Sequence, residues 1–107
     1  MKAEIEIIKR SELTPYIPYI PEERMEELRS GDSICLGIRS KKGDEIYGAG
    51  IVSLVKTKGT EKASFLEMES VYIDPVYRKK GIFRSFITGL KKGVKQRGLS
   101  GILTETV

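Results

Sequence analysis

The sequence has no histidine, no tryptophan and a single cysteine among its 107 residues. Without histidine the chain can form neither a Ser-His-Asp triad nor a Cys-His pair, and it has no imidazole that could bind a metal. The lone Cys35 excludes an internal disulfide and a cysteine-cluster zinc or iron–sulfur site. No apolar run is long enough to span a bilayer, and the N-terminus has no signal-peptide core. We therefore expect a cytoplasmic protein with no metal.

The chain is short and of mixed composition. Its residues are 39% hydrophobic and 32% charged, a balance typical of a folded chain rather than a disordered one. Because this length suffices for one hydrophobic core, we expect a single domain over residues 1–107.

Acidic residues are absent from residues 78–97. This segment carries eight basic residues: Arg78, Lys79, Lys80, Arg84, Lys91, Lys92, Lys95 and Arg97. Such a block favours an anionic partner, either phosphate, nucleic acid or an acidic protein surface, whereas its last three lysines can equally be the solvated side of a helix. We do not expect nucleic acid, because Phe83 and Phe86 lie on or beside the apolar stripe of that helix and leave no exposed aromatics between the basic residues.

Hydrophobic periodicity and turn residues predict the order β-α-β-β-β-α-β. The first six elements are predicted at residues 3–8, 21–30, 33–39, 46–55, 63–73 and, for the second helix, between Gly81 and Gly98; the last strand is predicted at residues 101–107. Alternation places Ile5 and Ile7 on the buried face of the first strand. The last three elements form a βαβ unit, so their two strands should be parallel and the earlier strands antiparallel.

The second helix has an apolar stripe at Ile82, Phe86, Leu90 and Val94, a spacing of four residues. The pair Gly89 and Gly93 permits close packing, and we interpret it as contact between helix and sheet.

The segment from Val71 to Arg84 combines a strand end, an Asp-Pro turn, a basic loop with Gly81, and the start of that helix. Unpaired N–H groups and the helix dipole attract anions at such a position, and Gly81 lets the backbone approach a ligand closely. The physical chemistry therefore favours a site for a pyrophosphate group.

These residues resemble a known family. Arg78-Lys79-Lys80-Gly81-Ile82, preceded by Val71-Tyr72-Ile73-Asp74-Pro75-Val76-Tyr77, is similar to the acyl-coenzyme A signature of the GNAT superfamily of N-acetyltransferases. The element order agrees, so the resemblance implies an α+β fold with a mixed sheet, truncated after the fifth strand relative to the family pattern. Phe83 stands where the pattern has Gly or Ala, and we expect its side chain to turn into the core between helix and sheet.

The resemblance implies acetyl-CoA as co-substrate and an amine as acceptor. Strand residues would bind the pantetheine arm through their backbone, loop amides would bind the pyrophosphate, and a strand N–H near Val71 would stabilise the oxyanion. The implied cofactor-binding residues are Val71, Tyr72, Ile73, Arg78, Lys79, Lys80, Gly81, Ile82, Phe83 and Arg84.

Glu67 and Glu69 are the candidate catalytic bases. Strict strand alternation would place both on one face with Val71 and Ile73, and Glu67 lies at the spacing before Arg78 at which some family members carry a catalytic glutamate. The alternative is that both are solvated residues on an exposed face. Tyr72 is expected on the opposite face, in the core. Cys35 could relay an acyl group, but without an activating neighbour we interpret it as a core residue.

The leading hypothesis is therefore an acetyl-CoA-dependent N-acyltransferase that acts by direct attack of an amine. The alternative is a non-catalytic CoA-binding half-domain completed by self-association or by a partner protein, for example a homodimer formed through the exposed fifth strand.

Overall fold

A computed structural model of the chain describes residues 2–41, 44–57 and 63–104. Five strands and two α-helices form in the predicted order: β1 (Glu4–Ile8), α1 (Met25–Ser30), β2 (Ile34–Arg39), β3 (Ile46–Lys56), β4 (Ser64–Ile73), α2 (Ile82–Gln96) and β5 (Gly101–Thr104). Parts of both predicted hairpin turns, and residues 105–107 of the predicted last strand, lie outside the described residues.

The five strands form one sheet in the order β1-β2-β3-β4-β5. The first four are antiparallel, and β5 is parallel to β4, as the sequence predicted. The mixed sheet follows from the connections, because short turns join antiparallel neighbours and the helical crossover joins parallel ones.

The apolar stripe of α2 packs on one face of the sheet, which we call the helix face. Ile82, Phe86, Leu90 and Val94 are all buried there, as their spacing predicted, against side chains that include Ile38 and Val52. At roughly 1.5–3 kcal/mol for each buried large apolar side chain, this contact is the main source of stability on the helix face.

The segment between β1 and β2 covers the opposite face, which we call the acceptor face. Leu13, Tyr16, Ile20 and Leu28 are buried there over Cys35, which is 1% exposed, so Cys35 is a core residue as expected. The predicted helix at 21–30 is wrong in its first turn, because 3₁₀ turns over Thr14–Tyr19 and Glu22–Arg24 precede α1. Pro15 and Pro18 lack a backbone N–H and so disfavour an α-helix over Thr14–Tyr19.

The prediction for β1 is half right. Ile5 packs against α2, but Ile7 is 52% exposed and the buried residue of this strand is Ile8, on the acceptor face. Alternation correctly placed Ile5 and Ile7 on the same face of the sheet, but α2 covers only Ile5.

Among the described residues, no helix is long and apolar enough to cross a membrane.

Candidate active site

A tight loop over residues 74–81, the signature loop, connects β4 to α2. Asp74 starts it: its Oδ1 accepts a hydrogen bond of 3.0 Å from the Val76 amide, and its own amide donates to Tyr47 O at 2.8 Å. Two residues have left-handed backbone, Lys79 with φ 64° and Gly81 with φ 80°. Glycine adopts this conformation without strain, so Gly81 satisfies a backbone requirement immediately before α2.

The N-terminus of α2 has no side-chain cap. The first bond of the helix runs from the Ser85 amide to Gly81 O at 3.0 Å, so the amides of Ile82, Phe83 and Arg84 have no partner within the helix. Lys79, Lys80 and Arg84 are exposed around these amides. The structure thus brings backbone donors and basic side chains together at the predicted pyrophosphate position.

The Arg78 side chain turns back toward the strand. Its Nε donates to Ile73 O at 2.9 Å, and its guanidinium carbon lies 5.1 Å from the centre of the Tyr72 ring. Arg78 therefore fixes the end of β4 through its side chain, while its backbone belongs to the signature loop.

Tyr72 is not in the core, so that expectation was wrong. It is 40% exposed on the acceptor face, where it stacks on Tyr19 with ring centres 6.2 Å apart. The Tyr19 hydroxyl donates to Asp74 Oδ2 at 3.2 Å and so connects the segment before α1 to the signature loop. Burial and this carboxylate both raise the pKa of Tyr19.

Phe83 also differs from its prediction. Its side chain is 51% exposed on the first turn of α2 instead of packing between helix and sheet, where Phe86 is buried with 0% exposure. The basic segment thus has one exposed aromatic residue, at its N-terminal end.

The pairing of β5 with β4 covers only part of β4. In the described residues it runs from Phe65↔Gly101 to Met68↔Thr104, so the backbone of Val71, Tyr72 and Ile73 has no described partner strand on that edge. This is the edge at which the resemblance places the pantetheine arm.

A β-bulge overturns the predicted orientation of the two glutamates. Ile51 pairs with Ser70 and Val52 pairs with Met68, so Glu69 is an extra residue without a partner on β3. The bulge interrupts the alternation. Met68 and Val71 consequently both face α2, and Glu67 and Glu69 do not share a face with Val71 and Ile73.

Glu69 is held by two serines. Its Oε1 accepts a hydrogen bond of 3.2 Å from Ser53 Oγ, and its Oε2 lies 2.8 Å from Ser33 Oγ. Ser33 is 6% exposed and also lies 3.1 Å from Glu27 Oε2, so its single hydroxyl hydrogen is shared between two carboxylates. Arg24 forms an ion pair of 3.3 Å with Glu27.

Glu67 differs from Glu69 in its surroundings. It is half-buried beside Ser53 and opposite Leu103, and no described side chain makes a hydrogen bond or an ion pair with it. Sequence reasoning missed Ser33, Ser53 and Tyr19, which lie 36, 16 and 55 residues from their carboxylate partners. No local motif connects positions so far apart.

Neither a family model nor a curated protein matches the sequence. Solved structures do match the fold. An acetyltransferase from Trypanosoma brucei aligns with a TM-score of 0.71 and 14% identity over 99% of this chain and 84% of its own. Glucosamine-6-phosphate N-acetyltransferase from Arabidopsis thaliana aligns with a TM-score of 0.70 and 18% identity over 100% of this chain and 84% of its own. AAC(6')-Iy, in complex with the bisubstrate analogue CoA-S-monomethyl-acetylneamine, aligns with a TM-score of 0.65 and 13% identity over 100% of this chain and 81% of its own.

The fold class predicted from the signature is therefore confirmed: this chain has the GNAT acyltransferase fold, with a mixed five-stranded sheet.

Proposed function

We propose that the protein is an acetyl-CoA-dependent N-acyltransferase that transfers an acetyl group directly to an amine. The observation that carries the proposal is the uncapped N-terminus of α2 behind Gly81, next to the end of β4, where Val71, Tyr72 and Ile73 pair with no described residue of β5. An anion site and a strand end with free backbone groups suit two adjoining parts of coenzyme A, its pyrophosphate and its amide-containing pantetheine arm.

The cofactor would bind along this junction. Amides from Lys79 to Arg84 would hold the pyrophosphate, with Lys79, Lys80 and Arg84 adding positive charge. The backbone of Val71, Tyr72 and Ile73 would bond the pantetheine arm, and an amide near Val71 would stabilise the oxyanion. Because backbone groups supply most of these contacts, loss of any one exposed lysine should change affinity only a few-fold.

The acceptor amine would approach from the acceptor face. Its nitrogen attacks the thioester carbonyl carbon, the C–S bond breaks, and coenzyme A leaves as a thiolate that takes a proton from solvent. We assign the base to Glu67, because its carboxylate is free of partners in the described structure while both oxygens of Glu69 already engage serine hydroxyls. Glu69 would position the bulge and add negative charge that favours a cationic amine.

Isothermal titration with acetyl-CoA tests the cofactor assignment, and we expect saturable 1:1 binding. No heat of binding at millimolar ligand contradicts it. Release of free thiol from acetyl-CoA in the presence of a panel of amines tests the transfer, with an enzyme-only blank for Cys35. Binding without any turnover would favour the non-catalytic alternative.

A further inference from the structure

A second concave region lies on the helix face beside the C-terminal half of α2, away from the signature loop. It is a groove of about 520 Å³ with an apolar floor, which includes Ile7, Ile34, Leu36 and Leu54. Ile7 and Leu54 are 52% and 55% exposed, which is high for two large alkyl side chains that line one groove. This groove has no part in the proposed acyl transfer.

The width of the sheet explains why the floor is open. Neighbouring strands lie ~4.8 Å apart, so five strands span roughly 19 Å, whereas one helix is only ~10 Å wide. In the described parts of the chain, α2 is the one helix that packs on this face, and the 3₁₀ turns and α1 pack on the other. The uncovered area therefore has room for one more helix alongside α2.

The two glycines of α2 differ in what they contact. A Cβ at Gly89 would lie 2.9 Å from Ile5 Cδ1, so packing within the molecule explains that glycine. A Cβ at Gly93 would meet nothing within 4 Å, and Gly93 does not have a positive φ. Glycine inside a helix lowers its stability relative to alanine. Gly93 lines the groove, and no contact within this molecule requires a glycine there. The missing side chain leaves space on α2 for a group from another molecule to pack against the helix.

The charge at the groove selects among occupants. Lys92 and Arg97 line its wall, Lys91 and Lys95 are exposed nearby on the same helix, and residues 78–97 contain no acid. Two copies that met symmetrically through this groove would bring the two basic helices together, which disfavours self-association. A segment with acidic residues is complementary.

We propose that this groove binds an amphipathic helix of a partner protein, with apolar side chains on Ile7, Ile34 and Leu54 and acidic side chains beside Lys92 and Arg97. The partner helix would pack alongside α2 and complete the second layer over this half of the sheet. This assignment gives a role to the distal basic residues, which the cofactor site does not use.

Two synthetic peptides of identical leucine and alanine pattern test the proposal, one flanked by glutamates and the other by lysines. Each carries a fluorophore, and binding to the full chain is followed by anisotropy at low and high salt. We expect saturable, salt-sensitive binding of the glutamate peptide, with the lysine peptide at least about tenfold weaker. Absence of binding by the glutamate peptide, or equal binding of both, overturns the proposal.

Variants of α2 locate the contact. Gly93→Leu should fill the groove and weaken binding of the glutamate peptide about tenfold or more. Because the space around position 93 is open and leucine favours a helix more than glycine does, we expect acetyl-CoA binding to be unchanged and the melting temperature to be equal or slightly higher. Lys92→Glu should weaken binding of the glutamate peptide by a similar factor. Lys95→Glu makes the same charge change at a position that does not line the groove, and it should have a smaller effect on that binding. Equal effects of the two lysine variants, or an unaltered affinity in Gly93→Leu, contradict the proposal. So does a dimer in sedimentation that Gly93→Leu dissociates, because a second copy would then be the occupant.

Discussion

The helix face and the acceptor face of the sheet differ in the side chains that they carry. Beneath α2 the buried residues are almost all alkyl or aromatic, among them Ile38, Val52 and Leu66. On the acceptor face, a buried cysteine and tyrosine lie near a buried serine and two glutamates at the bulge. Both faces therefore have an apolar core, and the acceptor face adds the hydrogen bonds between serines and Glu69 at the bulge of β4.

This difference divides the proposed work between the faces. The α2 layer would hold the cofactor with backbone groups that a rigid alkyl core positions, and the acceptor face would handle protons. Substitutions in the α2 layer should therefore change acetyl-CoA affinity, and substitutions at the bulge should change turnover. A single substitution that changed both acetyl-CoA affinity and turnover would contradict this division of work between the two faces.

The largest effect is expected at the start of α2. Gly81→Val should abolish detectable acetyl-CoA binding, at least about a hundredfold loss, because its side chain would intrude on the amides and valine disfavours φ 80°. Isothermal titration measures the affinity, and thermal unfolding should remain cooperative.

Gly98→Val is the matched control for this variant. Gly98 has φ 70° and open space around its Cβ position, so valine there meets a similar backbone penalty, about 1–2 kcal/mol, at the other end of the same helix. We expect a comparable drop in melting temperature with affinity intact. If acetyl-CoA affinity falls equally in both variants, backbone strain rather than a cofactor site at Gly81 explains the loss of affinity.

The next largest effect is expected at the bulge. Glu67→Gln should lower kcat about a hundredfold or more, since it removes the proposed base, with acetyl-CoA affinity unchanged. Steady-state kinetics with a fixed amine measure kcat, and isothermal titration measures the acetyl-CoA affinity.

Glu69→Gln separates a base from a positioning group. The amide oxygen still accepts one serine hydroxyl hydrogen, so we expect a smaller loss of kcat, about tenfold, with acetyl-CoA affinity unchanged. A larger loss in Glu69→Gln than in Glu67→Gln would exchange the two assignments.

A smaller effect concerns the pH dependence of stability on the acceptor face. Burial raises the pKa of the Cys35 thiol to about 11. A raised pKa in the folded state stabilises the protein below the thiol's unfolded pKa, and this contribution is lost as pH rises from about 9 toward 11. The loss should be roughly 2–3 kcal/mol in the free energy of unfolding.

Denaturant titrations of the native protein and Cys35→Ala at several pH values measure this loss. Tyr16 and Tyr19, whose pKa values are also raised by burial, contribute to the slope of both proteins, so the difference reports the thiol together with its small charge effect on the pKa of Tyr16. Parallel profiles would mean that the thiol ionises as readily in the folded state as in the unfolded one.

Local patterns were sufficient to predict most of the fold. The spacing of Ile82, Phe86, Leu90 and Val94 predicted the buried stripe of α2, and the Asp-Pro turn with Gly81 predicted its start. The face on which each side chain of β4 lies could not be predicted. The bulge arises because Glu69 has no partner residue on β3, and this depends on how two strands pair rather than on the sequence of one. Ile7 was misjudged for a related reason: alternation defines a face, but the reach of α2 decides how much of that face is buried.

The smallest effect tests the contact between the two layers. The Tyr19 hydroxyl, carried by the segment over the acceptor face, donates to Asp74 Oδ2 at 3.2 Å, and Asp74 Oδ1 orders the signature loop through the Val76 amide. Tyr19→Phe keeps the stacking on Tyr72 and removes a hydrogen bond worth about 1 kcal/mol. We expect acetyl-CoA affinity to fall by about fivefold or less, with kcat unchanged.

A double-mutant cycle decides whether Tyr19 acts through Asp74. In an Asp74→Ala background the hydroxyl has no carboxylate to bond, so Tyr19→Phe should then have no further effect on affinity. If the two substitutions add independently, Tyr19 contacts the cofactor or the acceptor by another route. The acceptor face would then contribute to cofactor affinity directly, and the division of work between the two faces would be incomplete at this point.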